Sequence, residues 1–486
     1  QNFTSATDTY NTAVGYSACN RVTTGTFNTF VGGLTGDALT TGADNTALGM
    51  AALGNDTKGN KAVAVGEGAL HNQNFTTSTD NYNVAVGFDA GNDITTGINN
   101  TLIGALAGDA LTDADQNVAV GVNALASDTL GSKSVAIGEG SLLFQNFTTA
   151  TDTYNTAVGF QSGKAITTGT NNTLIGGISG DALTTGSENT ALGYDALGGA
   201  TDGGRNVAIG NNTLRLSDTS GNNYNVAVGY DAGASVTTGV QNTFIGGLAG
   251  DAQTGASNNT ALGYGSLSTE TNGSRNVAIG VLALENQNTS GGGNIYNTAV
   301  GALAGQSVTT GVLNTLIGGL AGDALTSGDN NTAVGYLALS ADTLGDRNTA
   351  IGTSALTAQN FTTSTDSYNT AVGFTAGASI TTGIRNTLIG GIAGDALTDA
   401  DFNTAVGFDA LGADTLGSGS VAIGYQALER QNFTTATDSF NTAVGFNAGE
   451  NVTTGTNNTL IGGQTGDALT DGTFNTFVGK EAGGAA

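Results

Sequence analysis

Residues 403–424 read NTAVGFDALGADTLGSGSVAIG and state one pattern twice: Asn403-Thr-Ala-Val-Gly407, then again Ser420-Val-Ala-Ile-Gly424. The same pentad opens at residues 11, 28, 45, 62, 83, 100, 117 and 134 and continues to 475, 27 times in all. Its fifth position is always Gly, from Gly15, Gly32 and Gly49 to Gly479. Its first is Asn in 24 cases, beginning with Asn11, Asn28 and Asn45, and the exceptions are Ala62, Ser134 and Ser420. Steps of 17, 17, 17 and 21 build a superperiod of 72, shortened once where 206 to 225 is a step of 19. Seven superrepeats start near 1, 73, 145, 217, 287, 359 and 431, and the last is incomplete. No linker or change of composition interrupts them, which predicts a single continuous solenoid array over residues 1–486.

Seventeen residues are too few for a helix pair or a propeller blade but suit one turn of a β-solenoid. The expected fold is therefore all-β, a parallel β-solenoid or β-roll of about 27 stacked coils. Side chains alternate across a strand, so Thr12 and Val14 share one face and Ala13 takes the other. The larger residues, Val14, Val65, Ile103, Val158, Ile209 and their equivalents, are expected to point inward, with Gly at the bend that follows. Asn stacked on Asn from coil to coil predicts a ladder of side-chain amides along the axis. The absence of Pro from all 486 residues fits a stack in which every backbone N–H is used.

Composition narrows the function. A net charge of −27 disfavours nucleic acid and anionic bilayers, which need clustered Lys and Arg. No apolar run approaches the roughly 20 residues of a membrane-spanning helix, so no membrane insertion is expected. Cys19 is the single cysteine, and it stands where Gly91 and Gly163 stand in later superrepeats. His71 is the single histidine, so neither a Ser-His-Asp triad nor a metal-His cluster can be assembled. Neither catalysis nor a cofactor is expected.

Asn-Thr-Ala-Val-Gly and Ser-Val-Ala-Ile-Gly resemble the signature of the head repeats of trimeric autotransporter adhesins, whose coils form a left-handed parallel β-roll. The longer spacing, with Gly-Tyr-Asp-Ala-Leu at 193–197, resembles repeats of bacteriophage tail-fibre and bacterial surface fibre proteins. The resemblance spans the chain. It implies a homotrimer and an extracellular, cell-surface or virion location.

The four coils of a superrepeat carry different marks. The second holds Gly-Asp-Ala, giving Asp37, Asp109, Asp181, Asp251, Asp323, Asp395 and Asp467. Calcium needs several oxygens at once, and four coils, ~19 Å, separate successive members of this series. They are therefore read as turn caps, and no metal site is expected. Before the fourth coil stand Lys61, Lys133, Arg205, Arg275 and Arg347, read as charge balance on an acidic rod. The fourth coil also carries the insertion, as in QNFTTATDTY at 145–154, with Asn-Phe-Thr sequons at Asn2, Asn74, Asn146, Asn360 and Asn432. A loop longer than its neighbours should bulge from the rod, presenting these asparagines and the aromatics Tyr82 and Tyr154 for glycan attachment or carbohydrate contact.

Two classes of function follow. One is a structural extracellular fibre that self-associates as a homotrimer, as a head-to-tail polymer, or both. The polymer is suggested by an array that starts at a superrepeat boundary and shows no cap at either end. The alternative is an adhesin or tail-fibre binding module that recognises surface glycans through the repeated loops.

Overall fold

The computed structural model describes residues 6–289 and 291–484. It is an all-β parallel solenoid of about 27 coils, in which each pentad contributes one three-residue strand. The chain divides into two compact units, residues 1–242 and 243–486, and the same coil recurs in both. Within the first, Thr156, Ala157 and Val158 lie opposite Thr173, Leu174 and Ile175 of the next coil. Within the second, Thr387, Leu388 and Ile389 lie opposite Thr404, Ala405 and Val406. Every pairing is parallel and in step, so each residue sits over its repeat equivalent.

Hydrogen bonding between coils is not confined to the strands. In the turns, the Thr95 N–H donates to the Thr112 carbonyl at 2.9 Å, and the Thr112 N–H to the Thr129 carbonyl at 3.0 Å. A proline at either position would remove one of these bonds.

Strand alternation follows the expected pairing of residues, but the face that points inward is the opposite one. Leu102 is fully buried whereas Ile103 beside it is 40% exposed, and Val14 is 57% exposed. Val65, Val158 and Ile209 are only half-buried, while Ala64, Ala157 and Ala208 beside them are buried. The reason is the pentad's first residue. Asn100 is buried, and its Nδ2 donates across the coil to the Ala114 carbonyl at 2.8 Å. Its Oδ1 accepts the Asn117 N–H of the next coil at 3.0 Å. With the first position fixed inward, the two-residue period sends the third inward and the second and fourth outward. The ladder is thus largely a relay of amide to backbone, with amide–amide contacts such as Asn100 Nδ2 to Asn83 Oδ1, 3.3 Å, in support.

Inside each coil lie the pentad's third residue, the middle of the strand, and one or two turn residues, such as Ile94, Leu111, Leu125 and Leu142, all fully buried. The pentad glycine closes the strand for two reasons. Gly104 has φ +136°, and a Cβ built on it would stand 2.4 Å from the carbonyl oxygen of Gly121 in the next coil. Only hydrogen fits there, and the same holds for Gly121 against Gly138.

The fourth coil adds a second, shorter ladder. Gly59–Asn60 pairs with Thr79–Asp80, and Gly131–Ser132 with Thr151–Asp152. The insertion is therefore pinned at its far end rather than bulging free. Its phenylalanines, Phe75, Phe147, Phe361 and Phe433, are buried.

Candidate interaction surfaces

The inserted coil is built on a buried carboxylate. Asp56 lies fully inside, its Oδ1 accepting the N–H groups of Gly59 at 2.9 Å and Phe75 at 3.3 Å, its Oδ2 accepting Gln73 Nε2 at 2.7 Å. Gln73 in turn accepts from Asn83 Nδ2 at 2.9 Å. Desolvation pushes the Asp56 carboxyl up, against the pull of these donors. Asp128–Gln145, Asp342–Gln359 and Asp414–Gln431 repeat the pair, and Glu270–Gln287 is its glutamate version. In the shortened superrepeat Ala200 and Ser217 replace both partners. The sequence does carry a signal for the pair, since acid and amide stand one coil step apart each time.

That insertion also explains the departures from Asn at the first position. In an ordinary coil the Asn Nδ2 reaches across to a turn carbonyl, as Asn100 does to Ala114, and in the fourth coil the loop displaces that acceptor. Asn206 and Asn276 consequently keep a buried Nδ2 with no hydrogen-bond partner. Ser134 instead bonds Thr153 Oγ1 at 2.6 Å and accepts Gln145 Nε2 at 2.8 Å. Ser420 does the same with Ser439 and Gln431.

On the outside of the loop, Asn74, Asn146, Asn360 and Asn432 are exposed, and each accepts through Oδ1 from a threonine one coil earlier, as Thr57 Oγ1 to Asn74 at 2.9 Å. Asn2 lies outside the described residues. Tyr82 and Tyr154 are about half exposed. Lys61 Nζ stands 5.0 Å from the Tyr82 ring centroid and 2.6 Å from Asp80 Oδ2, and Lys133 holds Tyr154 and Asp152 likewise. These bonds raise the Lys61 pKa and lower that of Asp80. Arg205 pairs with Glu188 and Arg347 with Asp366, each over a tyrosine. Four of the five basic residues are thus ion-paired, and Arg275 bonds and stacks on Tyr296.

The Gly-Asp-Ala aspartates are half-buried, but they do not cap turns as expected: Asp109, Asp323 and Asp467 each keep a buried Oδ1 with no hydrogen-bond partner. Burial, with Asp93 and Asp89 adding repulsion, pushes the Asp109 carboxyl up to about 6. Among the described residues no group of three His, Cys, Asp or Glu is arranged to hold a metal ion.

The most extensive surface feature is one that the sequence pattern hides. The outward strand positions form a row of Val, Ile and Leu, and the residue after the pentad glycine adds a row of exposed aromatics. In the first unit these are Tyr16, Phe88, Phe160, Tyr194 and Tyr230. In the second, Phe408, Tyr425 and Phe446 stack in turn, with centroids 5.7 and 5.3 Å apart and planes within 14°. No protein-family model matches the chain, and no curated protein matches it.

Proposed function

We propose that the chain is a structural, extracellular fibre protein whose coils associate laterally with sister copies. The observation that carries this reading is the outward sheet face. Val, Ile, Leu and aromatic side chains are exposed there coil after coil, and apolar patches of that extent mark association surfaces. Each coil offers on the order of 100 Å² of apolar surface, so about eight coils reach the ~800 Å² per partner of a stable interface. The resemblance to trimeric adhesin heads favours three copies. The exposed sequon asparagines, each followed by a buried phenylalanine, fit glycan decoration that leaves the coil intact.

Sedimentation velocity at micromolar concentration tests the reading. Species heavier than the 47.7 kDa chain are expected. Charged substitutions on the outward row, Ile103→Asp with Ile175→Asp, should shift them toward the single chain. One species at chain mass, unchanged by concentration, would overturn it.

A further inference from the structure

A tandem repeat supplies its own standard, and a place where its surface departs from that standard invites explanation. The outward residue just before the buried turn position is small along most of the chain: Ser307, Ala324, Ala341 and Ala358 in the fifth superrepeat. Near the start of the chain the same row reads Arg21, Ala38, Asn55, Asn72 and Asp93. There the surface forms an open trough of about 760 Å³, walled on its other side by Thr57, Asn74, Thr95 and Thr112.

We infer that this trough is a binding site for an extended, uncharged oligosaccharide. From Asn55 onward its two rows present hydrogen-bonding groups at each coil step, about 4.8 Å along the axis, and face each other across one inward residue, roughly 7 Å, while Ala38 leaves a gap of one step before Arg21. From Arg21 to Asp93 is four steps, or ~19 Å. Hydroxyls recur at a comparable interval along a chain of hexopyranose rings. The groups are held in place and only partly used. Asn55 Nδ2 donates to Asn72 Oδ1 at 3.0 Å, Asn72 Nδ2 to Asp93 Oδ1 at 3.1 Å, and Thr57 Oγ1 to Asn74 Oδ1 at 2.9 Å. The carbonyl of Asn55, the amide NH2 of Asn74 and the second carboxylate oxygen of Asp93 stay open to a ligand. Arg21 is exposed, and its planar fork of donors matches adjacent hydroxyls.

The chemistry of the walls selects the ligand class. Amide, hydroxyl, carboxylate and one guanidinium suit a hydroxyl-rich chain, and the trough has no apolar pocket for peptide side chains. A net charge of −27 repels polyanions, which excludes nucleic acid and disfavours uronic-acid polymers. The proposal goes beyond the fibre reading and does not depend on it.

The test uses the full chain, prepared so that intact mass shows no attached sugar. It is titrated by calorimetry with neutral tetrasaccharides of glucose, mannose, galactose and N-acetylglucosamine, and with a tetra-uronate. At least one neutral member should bind with Kd below ~1 mM. The double variant N55A/N72A should weaken it at least tenfold with unchanged melting, because Ala341 and Ala358 already occupy those positions in another repeat. The control A341N/A358N should bind as the parent does. Saturation by no neutral member, equal affinity in N55A/N72A, or tighter binding of the tetra-uronate would each overturn the assignment.

Discussion

An ordinary coil and an inserted coil solve the same packing problem with different parts. In the first, a buried Asn spans the coil to a turn carbonyl, as Asn100 does to Ala114. In the second, that carbonyl is out of reach, and the interior is held instead by an acid–amide pair such as Asp56–Gln73 and a buried phenylalanine. What the two share is the strand and its glycine. The difference teaches that the strand sets the fold while the polar interior is exchangeable, to the point that Asn206 and Asn276 leave a buried Nδ2 without an acceptor.

The largest effect should fall on the shared part. An Asp at the middle of the strand, Leu102→Asp in an ordinary coil or Ala208→Asp in an inserted one, places a charge where no partner exists and costs several kcal/mol. Far-UV circular dichroism and melting should show loss of structure in both. Ile103→Asp and Ile209→Asp, one residue on and facing outward, should stay folded. If the outward pair melts with the inward pair, the phase assigned to the strand is wrong.

Next is the part that belongs to the inserted coil alone. Asp56→Ala strands the N–H groups of Gly59 and Phe75 and the Gln73 amide, for a loss of about 3–5 kcal/mol. Adding Gln73→Ser should recover part of it, since Ala200 and Ser217 occur together naturally. Additive losses in denaturant melts would show that the pair is not coupled.

A matched asparagine substitution sharpens the contrast further. Asn100→Ala removes one donor and one acceptor that both have buried partners, and should cost about 2–4 kcal/mol. Asn206→Ala removes an Nδ2 that has no partner and one 3.2 Å bond accepted from the Asn225 N–H, for about 1 kcal/mol. Equal losses would sink this explanation of why Ala62, Ser134 and Ser420 are tolerated.

The smallest effect is on pH dependence. The Asp109 carboxyl is raised to about 6, and those of Asp181, Asp323 and Asp395 are raised too, chiefly by burial. The folded chain therefore holds protons that the unfolded chain releases. This contribution is full below the unfolded value near 4 and is lost as pH rises through about 6. The melting temperature should be a few degrees higher at pH 5 than at pH 7.5, and Asp109→Asn should flatten part of the slope. A melting temperature that falls on acidification across this window would contradict the assignment.

The period, the parallel stack, the bend at Gly15 and its equivalents, and the use of Asn are legible in the sequence because repetition makes each of them visible many times. The phase of the strand is not. Thr-Ala-Val looks more apolar on its Thr/Val side, and only the route of the Asn side chain across the coil shows that the Ala side is inside. Of the surface residues, the sequon asparagines and tyrosines stand where a loop would place them. The phenylalanines between them do not, because a four-residue insertion reads as a bulge although its end is tied by a second ladder. Arg21, Asn55, Asn72 and Asp93 come together only once coils are stacked.

The row of strand-ending glycines carries a mechanical consequence. Gly87, Gly104 and Gly121 each leave room for nothing larger than hydrogen against the carbonyl of the following coil. A single methyl there cannot be absorbed by a side-chain movement, because both surfaces are backbone. It would act as a notch, parting two coils while leaving those on either side intact. Within a run of ordinary coils each layer meets the next through this same backbone contact, as Gly87, Gly104 and Gly121 show. One Gly→Ala change there would open a fracture plane at a chosen coil.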